Sequence, residues 1–166
     1  MNPNNVWCRA KRCAIQTGKD IVGGFDISFD ERISQETKEE LQRFVAWVEK
    51  NFSIPITLWV DFEYRHYLKR RDGKHVGFLF YWTDFTNYPV FCNKADIPVI
   101  RLPVRMEHYT MEEILHSFVE AVTEYFMWLC NELDEHSELY EDDAEEICQA
   151  YLENRREWIE ELNDKR

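Results

Sequence analysis

The apolar residues of this chain change their spacing twice, and that change limits the fold more than any other feature. Leu41, Phe44, Val45 and Val48 recur at helical intervals. Ile54, Ile56, Leu58, Val60 and Phe62 then occupy every second position, as do Val76, Phe78, Phe80 and Trp82. Beyond Thr110 the helical interval returns with Leu115, Phe118, Val122, Tyr125, Phe126 and Leu129. Period two buries one face of a strand and a period of about 3.6 buries one stripe of a helix, so neither pattern serves the other element.

Local signals agree. Thr37-x-x-Glu40 and Thr110-x-x-Glu113 have the form of capping boxes, which predict a first helix starting near Ser34 or Thr37 and another at Thr110. The second should run to about Leu133, and a last helix from about Glu138 toward Leu162. Arg71-Asp72-Gly73-Lys74 predicts a hairpin turn between the alternating runs. Ile97-Pro98-Val99-Ile100-Arg101-Leu102 reads as a short strand, and Pro98 assigns it to a sheet edge. The predicted class is α+β: an N-terminal helix, a small, mostly antiparallel sheet and two long C-terminal helices. Residues 1–34 read as a basic arm, and 35–166 as a single domain.

Charge is unevenly spread. The chain carries −12, yet from Glu112 onward there are 18 acids against 4 bases, so the first 111 residues are slightly basic. That acidic third would repel phosphate backbones, which excludes direct nucleic-acid binding through it. No apolar run approaches a membrane span, and the start does not have the pattern of a signal peptide. Five cysteines with no CxxC pair predict reduced thiols and a cytoplasmic protein.

The helix after Thr110 resembles one known family. Minimal zincins, zinc metallopeptidases, carry HExxH on such a helix, in one group approximately HELTHYFQWL. Here the run is Glu120-Ala121-Val122-Thr123-Glu124-Tyr125-Phe126-Met127-Trp128-Leu129. Thr, Tyr, Phe, Trp and Leu agree in register, whereas both histidines are glutamate and the catalytic glutamate is alanine. Asp72 to Phe78 and Ile100-Arg101-Leu102 resemble the family's hairpin and edge strand, and Glu141-x-x-Ala144 resembles its third-ligand segment. The resemblance spans roughly residues 36–152. A second register, His116-Ser117-Phe118-Val119-Glu120, keeps the first histidine and puts serine at the catalytic position. Neither register leaves a glutamate to take the proton from metal-bound water, so zinc proteolysis is not expected and no catalytic residue is assigned.

His116, Glu120 and Glu124 share one helix face, and Glu141 sits at the start of the next helix's apolar stripe. This oxygen-rich set is the candidate metal site. No cofactor is expected, and an ion held there would be Mg²⁺, Mn²⁺ or Ca²⁺ rather than Zn²⁺. Arg101 and Arg105 are the candidate neutralising partners. The resemblance implies a zincin-like, non-catalytic module that binds a protein or peptide along the edge strand, through Ile97, Val99 and Arg101. Two alternatives remain: a divalent-metal hydrolase using the carboxylates, and an acidic inhibitor from a mobile element that imitates nucleic acid.

Overall fold

A computed structural model describes residues 1–10, 23–84, 96–130, 132–133 and 141–164. Residues 6–10 are helical (α1). The chain continues through β1 (Phe25–Phe29), α2 (Gln35–Asn51), β2 (Leu58–Glu63), β3 (Leu68–Lys69) and β4 (His75–Val76). After these come β5 (Leu79–Asp84), β6 (Asp96–Pro103), α3 (Met111–Leu129) and α4 (Glu141–Asp164). The sheet order is β1-β2-β6-β5, and β3 and β4 form a separate two-stranded hairpin.

This is the expected mixture of helices with a small sheet, but the sheet is not mostly antiparallel. β1 runs parallel to β2, and β2 parallel to β6; β5 alone is antiparallel. The cause is β1, which lies in what the sequence presents as an arm. The α2 crossover returns the chain beside β1 in the same direction, as a strand–helix–strand unit requires. Gly23 brings the chain in close: a Cβ there would stand 2.4 Å from the Ile54 carbonyl oxygen.

Ile97–Leu102 is not an edge either. Val99 is paired with Trp59 of β2 on one side and with Tyr81 of β5 on the other. The proline is tolerated for a local reason. The β2 pairing begins at Val99, so Pro98 lies just beyond it, where the ladder on that side needs no N–H. Among the described residues the free edges belong to β5 and β1.

Helix signals were right in kind and shifted in place. Ser34, not Thr37, caps α2, accepting the Thr37 N–H at 3.2 Å, while Thr37 is buried in the first turn. Thr110 and Glu113 do form the capping box of α3. Gly73, at φ 85°, makes the hairpin turn, a conformation that disfavours side chains with a Cβ.

Helices α2 and α3 cover one face of the sheet, and α4 packs on α3 and α2. Phe118 of α3 is fully buried and touches Phe25 of β1, Phe62 of β2 and Phe44 of α2. The Tyr125 hydroxyl donates to the Ile56 carbonyl at 2.6 Å and accepts the Ile56 N–H at 3.1 Å. That satisfies the backbone just before β2, where the alternation of Ile54 and Ile56 suggested more strand. Cys8 and Cys148 are free, whereas Cys130 is disulfide-bonded, so the expectation that every cysteine is reduced does not hold. No helix among the described residues is long and apolar enough to cross a membrane.

The described parts of residues 1–34 are not an appendage. Val6, Trp7 and Ala10 are buried in the core, and the Trp7 indole N–H donates to the Thr123 hydroxyl at 2.8 Å. Asp143 of α4 accepts the Val6 N–H at 3.0 Å, capping α1, and Glu132 holds Arg9 through both oxygens. Trp7→Ala should therefore cost about 3–5 kcal/mol, the usual range for emptying a buried aromatic site. Urea unfolding monitored by far-UV circular dichroism measures this; an unchanged midpoint would return the segment to the status of an arm.

Candidate functional site

From Ile114 to Leu129 every residue of α3 is buried except His116, Ser117, Glu120 and Glu124. These are the positions picked out by helical spacing, but the helix is not an ordinary surface helix. It is enclosed by the sheet, by α1 and by α4, and its polar strip opens into a cleft.

The cleft holds about 540 Å³. His116, Glu120 and Glu124 line it from α3, and Glu141, Asp142 and Glu145 from α4, with Phe78, Thr123, Met127 and Ala144 completing the walls. All four sequence-derived candidates for the metal site thus meet in one place. Sequence reading missed Glu145, although its i,i+4 spacing from Glu141 was available as a signal, and it missed Phe78, which lies far away in the chain.

No lysine or arginine lines the cleft among the described residues. The neutralising partners suggested by sequence are elsewhere. Arg101 alternates with buried Ile100 and Leu102, so it projects from the sheet face away from α3 and pairs with Glu63 at 2.6 Å. Arg105 pairs with Glu107. Ile97, Val99 and Arg101 do not join the cleft, and their strand has no free edge for a peptide.

Electrostatics follow from this arrangement. The His116 Nδ1 is 2.7 Å from Glu120, and its Nε2 is 3.7 Å from Glu145. Burial pushes the Glu120 carboxyl up; His116 opposes that and Glu141 adds to it. Glu124 is pushed up to about 7, chiefly by burial and then by the charge on Glu120. The buried Cys148 thiol, facing the same field, is raised to about 12 by burial, then by Glu145 and Glu120.

The arrangement can hold protons and attract cations. Among the described residues no three His, Cys, Asp or Glu side chains are grouped closely enough to hold a metal ion. Neither catalytic position has the needed group: Ala121 is fully buried, and the Ser117 hydroxyl lies against Gly77, 3.3 Å from where a Cβ would sit.

The cleft continues past Phe78 and Glu124 into a second hollow of about 760 Å³, walled by Val76, Leu79 and Phe80 and reached by Arg70 and Leu133. Together they form a groove following β4 and β5. Compared with protein-family models, with curated proteins and with solved structures, the chain matches none.

Glu124 makes stability depend on pH. Its ordinary value is 4.5, and its folded value about 7. Between these the folded protein keeps a proton that the unfolded chain releases, so stability falls as pH rises through that window and levels off above it. Glu124→Gln removes the loss. The variant should match the parent near pH 4 and exceed it at pH 8 by up to about 3 kcal/mol, since one pKa unit is about 1.4 kcal/mol. Thermal melts across this range measure the difference; equal melting temperatures at pH 8 would mean the carboxylate is fully hydrated.

Proposed function

We propose that the protein is a non-catalytic, zincin-like binding module whose acidic groove receives an extended, basic segment of a partner protein. One observation carries this reading: Glu120, Glu124, Glu141, Asp142 and Glu145 converge on a cleft with no lysine or arginine in its described lining. Glu120 and Glu124 are half-buried, with only His116 beside Glu120 in the described lining, and a guanidinium entering the cleft would turn the cost of ionising them into charge-assisted hydrogen bonds.

The groove suits an extended chain. It runs beside β5, whose outer edge is unpaired among the described residues, so a peptide can add as a further strand while a basic side chain reaches the cleft. The order of β5, β6, the capped α3 and α4 with Glu141 supports the zincin-like reading, with the edge moved from β6 to β5. The buried Ala121 and confined Ser117 support a role without catalysis. The hydrolase alternative has no described ligand set behind it. The inhibitor alternative draws on the acidity of α4, but Asp143 and Glu146 are already bonded to the N-terminal segment.

The test is a synthetic ten-residue peptide with one central arginine between alternating apolar residues, titrated by calorimetry. Affinity should rise between pH 6 and pH 8 as Glu124 ionises, and fall with added salt. Glu120→Gln with Glu124→Gln should weaken binding by at least about tenfold, or about 1.4 kcal/mol. A citrulline peptide that binds as well as the arginine peptide would overturn the proposal.

A further inference from the structure

On the face of the sheet away from α3, cations gather at one end. Where the chain leaves β2, a hollow of about 600 Å³ is lined by Tyr64, Arg65, His66, Lys69, Arg101 and Arg105, among other residues, and no carboxylate lines it. In a chain of net charge −12, such a concentration of cations calls for a physical explanation.

The cations are held in place from behind. Glu63 takes the Arg101 guanidinium through two nitrogens, at 2.6 and 2.9 Å, and also the Arg65 Nε at 3.1 Å. Arg105 lies 5.0 Å from the Tyr64 ring centroid and pairs with Glu107 at 3.3 Å. The Tyr64 hydroxyl donates to the same Glu107. Lys69 is exposed and has no ion-pair partner among the described residues. Glu63 and Glu107 pair with three of the four cations and Asp61 lies beside Arg101 in register, which leaves Lys69 as the cation without an ion-pair partner among the described residues.

The wall also has hydrogen-bond donors in excess. Arg105 Nη1 is 2.8 Å from His66 Nε2, and because a guanidinium can only donate, that ring nitrogen accepts and Nδ1 carries the hydrogen. Burial, then the Arg105 charge, then His108, lower the His66 pKa and keep the ring neutral. The His66 Nδ1 and the Arg105 Nε are both buried without a hydrogen-bond partner among the described residues. Donors and positive charge outnumber acceptors on this wall, which suits an oxygen-rich anion.

We propose that this hollow is a binding site for a phosphate dianion, either free or as a phosphate monoester. The guanidinium nitrogens of Arg65 and Arg101 that Glu63 does not take offer N–H donors to its oxygens, Arg105 adds its charge, and Lys69 closes the site as a point charge. Tyr67, 40% exposed and stacked on His75 at 3.5 Å between ring centroids, stands beside Lys69 as an aromatic face for the group that carries the phosphate. This site is separate from the acidic groove, and neither proposal depends on the other.

The experiment is titration of the full chain with inorganic phosphate, phosphoserine and adenosine monophosphate by calorimetry at low ionic strength. Saturable one-to-one binding is expected, with sulfate competing and sodium chloride at matched ionic strength not substituting. Lys69→Gln and Arg105→Gln should each weaken binding by at least about tenfold, the usual effect of losing a charge-assisted contact, while Lys50→Gln on α2 leaves it unchanged. Lys69 is exposed and unpaired, so its variant keeps the test valid if Arg105→Gln fails to fold. Tightest binding of inorganic phosphate would identify the free ion as the ligand, and tighter binding of an ester the group that carries it. Heat that follows ionic strength alone, or affinity unchanged in Lys69→Gln, would overturn the proposal.

Discussion

Everything in this structure is arranged around the enclosure of α3. The sheet closes on it through Phe118 and Tyr125, α1 through the Trp7–Thr123 hydrogen bond, and α4 through buried Ala144, Ile147 and Tyr151. A helix wrapped on three sides has little room for polar residues. His116, Glu120 and Glu124 must therefore share the one strip that opens, and α4 presents more carboxylates to the same strip. Their raised proton affinities follow from this packing, because burial is the first cause for both glutamates; Glu120 then adds to the shift of Glu124, whereas for Glu120 itself His116 opposes the shift and Glu141 adds to it.

The excess of acid toward the C-terminus divides into two uses. Some of it is structural: Asp143 caps α1, Glu146 accepts from Asn2 and Asn5, and Glu132 fixes Arg9. These contacts hold the slightly basic N-terminal segment against the acidic third, and each is a charge-assisted bond that a neutral pair would not equal. Glu120 has His116 beside it at 2.7 Å, and Glu124 and Glu141, without an ion pair among the described residues, line the same cleft. Acidity summed over a segment conceals this division, which decides which carboxylates remain open to a ligand. Lys69, Arg65, Arg101 and Arg105 line a separate hollow on the far face, so an acidic and a basic hollow lie on opposite sides of one sheet.

Much of the helical structure was legible because its determinants are local. The Thr110–Glu113 box and the Gly73 turn involve neighbours in sequence, and the alternation along Leu58, Val60 and Phe62 needs only one buried face. The meeting of His116, Glu120 and Glu124 was likewise a matter of helical angle. What sequence could not supply was partnership between distant segments. Phe25–Phe29 is five residues long and carries only three inward-facing apolar side chains, a weak signal until its register with β2 is known. Without β1 there is no strand–helix–strand crossover, and the sheet is then misread as antiparallel. Pro98 misled for a related reason, since a proline reports whether a neighbour is needed at one residue and not along a whole strand. The depth of α3 was hidden too, because i,i+4 glutamates opposite an apolar stripe look the same on a surface helix as at the mouth of a cleft.

The half-buried glutamates also separate what the fold requires from what it tolerates. Glutamine at position 124 would fill nearly the same volume, could make hydrogen bonds, and would avoid the cost of ionising a carboxyl whose folded value is about 7. Packing therefore gives no reason for a carboxylate at 124, whereas Glu120 has His116 beside it. Under the proposed reading a ligand gives one. A bound cation would favour the ionised form and a proton favours the neutral one, so proton and cation would compete for the same oxygens. Uptake of a cation by a carboxyl titrating near neutrality would then release protons, and affinity would weaken as the solution becomes acidic. A strand laid along the β5 edge, as proposed, would add orientation by fixing which of its side chains can reach α3.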